Sequence, residues 1–315
     1  MKIQWVEYIC DPLDKSKLDF CKITKKHGDD VVSGVLKSKS GNYYKIKNGV
    51  PILLTKSSQA ISTVVSFAYE WNEFDFDYGK KGWLSDIVKP TVESLEYFKD
   101  KIIVDCGAGS GRQSLWMVQA GAKFVFALEL SDASRMITKK VADITNHKIF
   151  VIQCDISNPP IDTKNIKIGL IYCINVIQHT KDAKLAVMGI SKLMNKKTDF
   201  IFNIYLKKGR ENFIKFLDLV RKVTKLIPPV LLKNLSFIIT IFSFLLSHTP
   251  YLSTWLRKSL PLNHGFKETW LDIYDILGSH KYQKFYSEGE LKDILAAPCL
   301  NIVKRSKYAM LLNKK

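Results

Sequence analysis

Three acidic residues at the ends of strand-like runs are the side chains in this sequence with the clearest chemical potential. Asp105 ends the run KIIVD, Glu129 ends KFVFALE, and Asp155 follows KIFVIQC. Each one alone is typical of a helix cap or a solvated loop. Because parallel strands bring their carboxyl ends to one edge of a sheet, together they favour a shared binding site for a cationic ligand.

A glycine loop follows the first of these acids, in the stretch IIVDCGAGSGRQS over residues 102–114. Gly107, Gly109 and Gly111 are spaced two apart, which indicates positive φ angles or a ligand close to the backbone. The dinucleotide pattern G-x-G-x-x-G would need a glycine where Arg112 stands, and the P-loop ending Gly-Lys-Ser/Thr is absent. The loop therefore favours a phosphate-free adenosine, with Glu129 on the ribose hydroxyls and Asp155 near the adenine.

The elements that position these residues alternate between strands and helices. Apolar runs predict strands over 101–105, 123–129, 148–154, 168–174 and 199–205, and helical patterns fall at 112–120, 132–145 and 181–195. Short, continuously apolar strands separated by helices are typical of a parallel sheet covered on both faces. The predicted fold is doubly wound α/β, completed by a helix over 287–297 and a β-hairpin over 299–315.

This combination resembles the class I S-adenosylmethionine-dependent methyltransferases, and the resemblance continues in INVIQHTKDAKLAVMGISKLM over 174–194. It implies a Rossmann-like seven-stranded sheet and S-adenosyl-L-methionine as cofactor, with the glycine loop on the methionyl part. NKKTDF at 195–200 departs from the Pro-Gly-Gly of many members. The cofactor contacts that it implies are Asp105, Gly107, Ala108, Gly109, Gly111, Arg112, Glu129, Leu130, Asp155, Ile156 and Asn175.

Methyl transfer also needs an acceptor site, and its candidates lie beyond the fourth strand and in aromatic segments. His179 in VIQHT is the candidate catalytic base or acceptor-orienting group, and a packing or capping role is the alternative. Gln178 and Asn175 offer amides to the cofactor or acceptor. Further acceptor-site candidates are Tyr69, Trp71, Tyr205 and Tyr282, with His264, Asp275 and His280 as weaker ones.

Residues 1–55 form a small β-rich unit that is similar to the zinc-ribbon-like Trm112 domain, in YICDPLDKSKLDF and YYKIKNGVPILL. Cys10 is present, but Asp14 stands where its zinc-binding partner would be, and Ser38 and Ser40 occupy the other loop. Cys21 has no partner at metal-ligand spacing. We therefore expect no metal, and a unit that covers an apolar face of the catalytic domain.

The remaining domain predictions follow the composition along the chain. Residues 56–90 are an aromatic linker or cap, 91–206 the cofactor-binding core, 207–280 a helical lid insertion, and 281–315 the elements that complete the sheet. Within the insertion, the apolar run from Leu235 to Leu246 is twelve residues long, short of the roughly twenty that span a bilayer. It favours a lid helix or an interfacial helix on an anionic membrane.

Charge and cysteine content limit the partners. The 315 residues carry a net charge of +18, which attracts nucleic acid, anionic lipid or a phosphorylated substrate, although lysine also simply solvates surfaces. The six scattered cysteines and the lack of an apolar signal segment at the start predict a cytoplasmic protein, with peripheral contact at the inner membrane surface as an extension.

The predicted function is methyl transfer to a small-molecule, lipid or glycan acceptor. An RNA methyltransferase is the alternative, motivated by the basic charge and the Trm112-like unit. Against it, INVIQHT lacks the prolines of base-methylating loops, and the basic flanks of the insertion border Ile, Leu and Phe. A binding protein without activity would not need all three acids.

Overall fold

The computed structural model describes residues 1–56, 58, 79–132, 144–246, 249, 265–278 and 283–315. Its main feature is one sheet of eleven strands in the order β1-β2-β3-β4-β7-β6-β5-β8-β9-β11-β10. The strands are β1 Leu18–His27, β2 Asp30–Ser38, β3 Tyr43–Lys47, β4 Val50–Leu53, β5 Ile102–Cys106, β6 Phe124–Glu129, β7 Ile149–Cys154, β8 Leu170–Cys173, β9 Asp199–Phe202, β10 Leu300–Arg305 and β11 Met310–Lys314.

The centre of the sheet is parallel. Strands β7, β6, β5, β8 and β9 pair in this order, with Asp105 opposite Ala127 on one side and Tyr172 on the other. Every residue of β7 and β8 is buried, which explains why they are apolar apart from Gln153. The strand order reverses direction at β5, so the loops after β5 and β8 diverge and open a crevice at the carboxyl edge.

The C-terminal hairpin closes one side of the sheet. Strand β11 runs antiparallel to β9, pairing Leu311 with Ile201, and β10 forms the outer edge. The predicted hairpin over 299–315 is confirmed, and so is the helix before it.

Six longer helices accompany the sheet: α1 Arg112–Gln119, α2 Ala183–Ser191, α3 Glu211–Thr224, α4 Pro229–Leu246, α5 Phe266–Leu277 and α6 Glu288–Ala296. The Asp182 side chain caps α2 at the amide of Leu185. Shorter helical segments lie at Ile3–Tyr8, Lys80–Gly82, Trp83–Val88, Lys89–Val92, Leu95–Phe98 and Ile177–His179. The helix predicted over 132–145 falls mostly on residues outside the described ones.

Helix α4 differs from its prediction. It begins at Pro229 and has 18 residues, six more than the apolar run from Leu235 to Leu246. The six residues before Leu235 are also helical, so the run underestimates the length of the helix. In the searched part of the chain it is the one helix long and apolar enough to cross a membrane, with 22% of it buried. The length argument against a spanning helix is therefore wrong, although the finding is weak evidence for one.

The N-terminal strands extend the same sheet, since β4 pairs in parallel with β7 through Ile52 and Gln153. The sheet thus exceeds the predicted seven strands by the four that precede residue 55. Trp5 also packs on the sheet, with its ring centroid 4.7 Å from that of Phe150 and 5.5 Å from that of Phe124. These residues share one hydrophobic core.

A cluster of hydrogen-bonded polar side chains around Asp11 occupies the part of this unit that contains Asp14, Ser38 and Ser40. The buried Asp11 carboxylate accepts hydrogen bonds from the Leu13 amide at 2.7 Å, Tyr44 Oη at 2.9 Å and Asn42 Nδ2 at 2.9 Å. Burial opposes ionisation of Asp11, but these hydrogen bonds outweigh it and lower its pKa. Among the described residues no group of three or more His, Cys, Asp or Glu could hold a metal.

Candidate functional site

The glycine loop between β5 and α1 adopts a backbone that only glycine accepts readily. The φ angles of Gly107, Gly109 and Gly111 are 78°, 54° and 74°. A Cβ atom on Gly107 would lie 2.4 Å from Cγ2 of Val176 in the loop after β8. The loop is therefore compressed against the neighbouring loop, at the crevice where the strand order reverses.

Glu129, at the end of β6, fixes the shape of this loop. Its two carboxylate oxygens accept hydrogen bonds from the amides of Gly109 and Ser131, each at 2.8 Å, and the residue is 7% exposed. Each carboxylate oxygen has a second lone pair, so the group can still accept a ligand hydroxyl. The prediction of a ribose contact is compatible with this arrangement.

Asp105, at the end of β5, is a buried acid with an unusual pKa. Ser114 Oγ on α1 donates to its Oδ2 at 2.5 Å, and the residue is 2% exposed. Burial raises the pKa of Asp105 to about 7, and the Glu129 charge adds to this, against the effect of Ser114. A positively charged ligand group at this carboxylate would favour its ionised form.

The third acid lies one strand further out. Asp155 follows β7, and its Oδ1 accepts the Ser157 amide at 2.8 Å, while Ile156 between them is buried. Gln153 Nε2 donates to the Leu130 carbonyl at 3.1 Å and so links the ends of β7 and β6. The structure thus brings Asp105, Glu129 and Asp155 to one edge of the sheet. They follow one another there because β5, β6 and β7 are neighbouring strands.

A pair of asparagines connects β8 and β9 at the same edge. The Asn175 amide donates to Asn203 Oδ1 at 2.7 Å, and Asn203 Nδ2 returns a bond to Asn175 Oδ1 at 2.7 Å. Asn175 has a φ of 61°, which this pair holds. Asn203 is absent from the sequence predictions; its signal is a polar residue within the apolar run DFIFNIY.

The predicted acceptor side lies on the loop after β8. The His179 ring contacts Tyr205 at a centroid distance of 5.9 Å, and Tyr205 contacts Phe285 at 5.6 Å. Gln178 has no exposed surface, and neither its Oε1 nor its Nε2 has a hydrogen-bond partner in the described part of the chain. A buried amide without partners is costly and indicates a polar group or water that the fold is built to receive.

The remaining candidates are Arg112 beside the glycine loop, Asp275 on α5, and five residues outside the described ones. Arg112, the first residue of α1, places its guanidinium 5.3 Å from the Trp116 ring centroid. Asp275 lies on α5, where its charge acts on the buried Arg221. The candidates that fall outside the described residues are Tyr69, Trp71, His264, His280 and Tyr282.

A separate cavity of about 490 Å³ opens at the amino ends of the strands, lined by Trp5, Phe124 and His147 among others. Phe124 is the first residue of β6, whereas Glu129 is the last, so this cavity is at the opposite edge from the acids. It is not the site that the glycine loop defines.

Comparisons with known proteins find similarity over part of the chain. Residues 103–196, from β5 past α2, match the family described as "Methyltransferase domain". This stretch is a methyltransferase domain of the S-adenosylmethionine-dependent class. It contains the glycine loop and all three acids.

Two curated relatives match part of the chain. Over 105 residues the chain is 30% identical to protein arginine N-methyltransferase PRMT10 of Arabidopsis thaliana, spanning 30% of the chain and 27% of the relative. Over 98 residues it is 33% identical to protein arginine N-methyltransferase 1 of Caenorhabditis elegans, spanning 27% and 28%. The chain thus matches less than a third of either relative. PKMT2 from Rickettsia typhi in complex with AdoHcy aligns with a TM-score of 0.49 at 13% identity, over 70% of this chain and 50% of that one.

Proposed function

We propose that this protein transfers a methyl group from S-adenosylmethionine to an acceptor bound against the loop after β8. The observation that carries the proposal is the glycine loop, whose amide at Gly109 is held by Glu129 and whose positive φ angles leave the backbone open to a close ligand. Asp105 supplies a buried carboxylate beside it.

The residues present fit this cofactor. Asp105 and the loop from Gly107 to Gly111 suit a methionyl group with its ammonium, because the Asp105 carboxyl can pair with a cation and the glycines carry no side chains. Glu129 suits the ribose hydroxyls, and Asp155 with Ile156 suits the adenine. The bound cofactor would supply an electrophilic methyl group, and the protein's part is to align the acceptor and to exclude water.

On the acceptor side, we assign His179 as the base or the orienting group, and Gln178 as the amide that binds a polar group of the acceptor. This assignment is supported by the burial of both residues and by the His179–Tyr205–Phe285 ring contacts. A proton acceptor within reach of the substrate is required when the acceptor atom is a hydroxyl oxygen.

For the acceptor we favour a small molecule, a lipid or a glycan. The curated relatives act on protein arginine by name, but less than a third of this chain matches either of the two described above. The loop over 174–180 also contains no acidic residue to pair with a guanidinium group. Amide, imidazole and aromatic groups suit a neutral acceptor better.

An RNA acceptor is the second candidate, because the net charge is +18. Retention of labelled RNA and of lipid vesicles, compared over a salt series, separates the two.

We also propose that residues 1–55 are a Trm112-like unit without zinc. The insertion at 207–280 is proposed to be a lid over the acceptor in a cytoplasmic enzyme.

The proposed function is tested in two steps. Calorimetry should show binding of S-adenosylmethionine and S-adenosylhomocysteine, but not of NAD or ATP, and Asp105→Asn should abolish it while the exposed Asp293→Asn does not. Labelled cofactor with fractionated extract should then label one fraction, and His179→Ala should remove the label without loss of cofactor binding. Tight NAD or ATP binding in place of the nucleoside would refute the proposal.

A further inference from the structure

Helix α4 buries a mostly polar face and exposes an apolar one, which is the opposite of a typical surface helix. Its buried residues are Leu232, Ser236, Thr240 and Ser243, spaced by four, four and three, so they form one face. Three of these four carry hydroxyl groups. Ser236 and Thr240 satisfy their hydroxyls on the carbonyls of Lys233 and Ser236, each at 2.7 Å.

The outward face of α4 is apolar except at Asn234. Phe242 is 59% exposed and Leu245 64% exposed, values that are typical of charged residues. The exposed apolar side chains of α4 are Val230, Leu231, Leu235, Phe237, Ile238, Ile241, Phe242, Leu245 and Leu246. A contiguous surface of this kind marks an interaction site.

Helix α3 contributes a second outward apolar stripe. Phe216, Leu219 and Val223 are spaced by three and four residues, and Leu226, two residues beyond the end of α3, is 84% exposed. The residues that α3 buries, Leu217, Arg221 and Thr224, lie on another face. Packing among the described residues therefore does not explain this stripe.

Basic residues border the α3 stripe. Residues 207–246 contain eight Lys or Arg and only two acids, Glu211 and Asp218. Lys215 and Lys222 are exposed and lie next to the α3 stripe, one residue before Phe216 and Val223. An apolar face bordered by cations is complementary to an anionic lipid surface, where the lysines meet headgroups and the apolar side chains enter the acyl boundary.

We propose that the outward faces of α3 and α4 form a docking surface for an anionic bilayer, with α4 lying in the plane of the interface. This inference does not depend on the proposed methyl transfer.

The packing of α5 favours an interfacial position over a spanning one. Trp270 Nε1 on α5 donates to Ser236 Oγ at 3.0 Å, and Leu232 packs with Tyr274, so α5 lies against the inner face of α4. The α5 sequence FKETWLDIYDIL contains four charged residues. If α4 crossed the bilayer, α5 would carry these charges with it, at a high cost in free energy.

The test is sedimentation of the full-length protein with vesicles of phosphatidylcholine alone or with 30% phosphatidylserine (roughly the anionic content of a cytoplasmic leaflet). We expect binding to the anionic vesicles only, falling at least tenfold when salt is raised to about 0.5 M, where charges are screened beyond a few ångströms. Phe242→Asp with Leu245→Asp should reduce the bound fraction at least tenfold. Tyr43→Asp, at an exposed aromatic on β3, is the matched control and should leave binding unchanged.

Folding and cofactor binding of each variant are measured in parallel, so that a loss of vesicle binding can be separated from a loss of structure. Equal binding to neutral vesicles that survives high salt and alkaline carbonate would indicate a spanning helix and overturn the proposal. A dimer in light scattering that Phe242→Asp dissociates, without vesicle binding, would indicate a second copy of the chain and also overturn it. So would an absence of vesicle binding by the wild type.

Discussion

The buried carboxyl of Asp105 predicts a specific dependence of stability on pH. In the unfolded chain this group has its ordinary pKa of 3.8, whereas burial raises it to about 7 in the folded protein. Between these values the folded state binds one more proton than the unfolded state, so stability falls as pH rises from about 4 to 7 and is then constant. The interval corresponds to about 4 kcal/mol at most, from about 1.4 kcal/mol per pH unit.

Substitution Asp105→Asn removes this titration and keeps the shape of the side chain. At pH 5 the wild type has already lost about 2 kcal/mol of the stabilisation that protonated Asp105 gives at low pH. At pH 8.5 it has lost all of this stabilisation. Relative to the wild type, the free energy of unfolding of the variant should therefore rise by about 2–3 kcal/mol between pH 5 and pH 8.5. Any fixed loss from an altered bond to Ser114 cancels in this comparison.

The assay is urea unfolding followed by tryptophan fluorescence at both pH values, with the exposed Asp293→Asn as control. Calorimetry of cofactor binding is the second measurement. If a cofactor ammonium pairs with the Asp105 carboxylate, S-adenosylmethionine binding should release a proton below pH 7, and affinity should rise up to about tenfold from pH 6 to pH 7. A difference between variant and wild type that does not change with pH would refute the reasoning.

Three further substitutions test the loop and the acceptor side. Gly107→Ala should destabilise the protein by about 2–5 kcal/mol, from the left-handed backbone and the contact with Val176, and Val176→Ala should restore part of this in chemical unfolding. Glu129→Gln should lower S-adenosylmethionine affinity at least tenfold in calorimetry, while exposed Glu96→Gln does not, and equal affinity would contradict the ribose assignment. Gln178→Leu should raise the free energy of unfolding by about 1–3 kcal/mol without changing cofactor affinity, and a loss of stability would contradict an unsatisfied amide.

The central strands and the three acids could be predicted from the sequence because both depend on local patterns. Strand β5 was predicted to within one residue, and the carboxyl ends of parallel strands place Asp105 and Glu129 at one edge without further information. The capping box of α6, Ser287 with Glu290, is likewise a local signal.

What could not be predicted depends on pairing between distant segments. Strand β4 pairs with β7 about a hundred residues later, and nothing in either sequence identifies its partner. Asn203 and Asn175 are 28 residues apart and become a pair only when β8 and β9 align. The hydroxyl face of α4 was also missed, because a strongly apolar helix obscures the few polar positions that determine which side faces inward.

Three energetically unfavourable features lie together at the carboxyl edge of the sheet. Positive φ at Asn175, the buried acid Asp105 and the buried amide of Gln178, which has no hydrogen-bond partner in the described part of the chain, each reduce stability. Most strand positions at the centre of the sheet are apolar and buried, with Gln153 as an exception in β7. A chain selected for stability alone would favour apolar residues at Asp105 and Gln178, so polar groups at the crevice support the proposed ligand site.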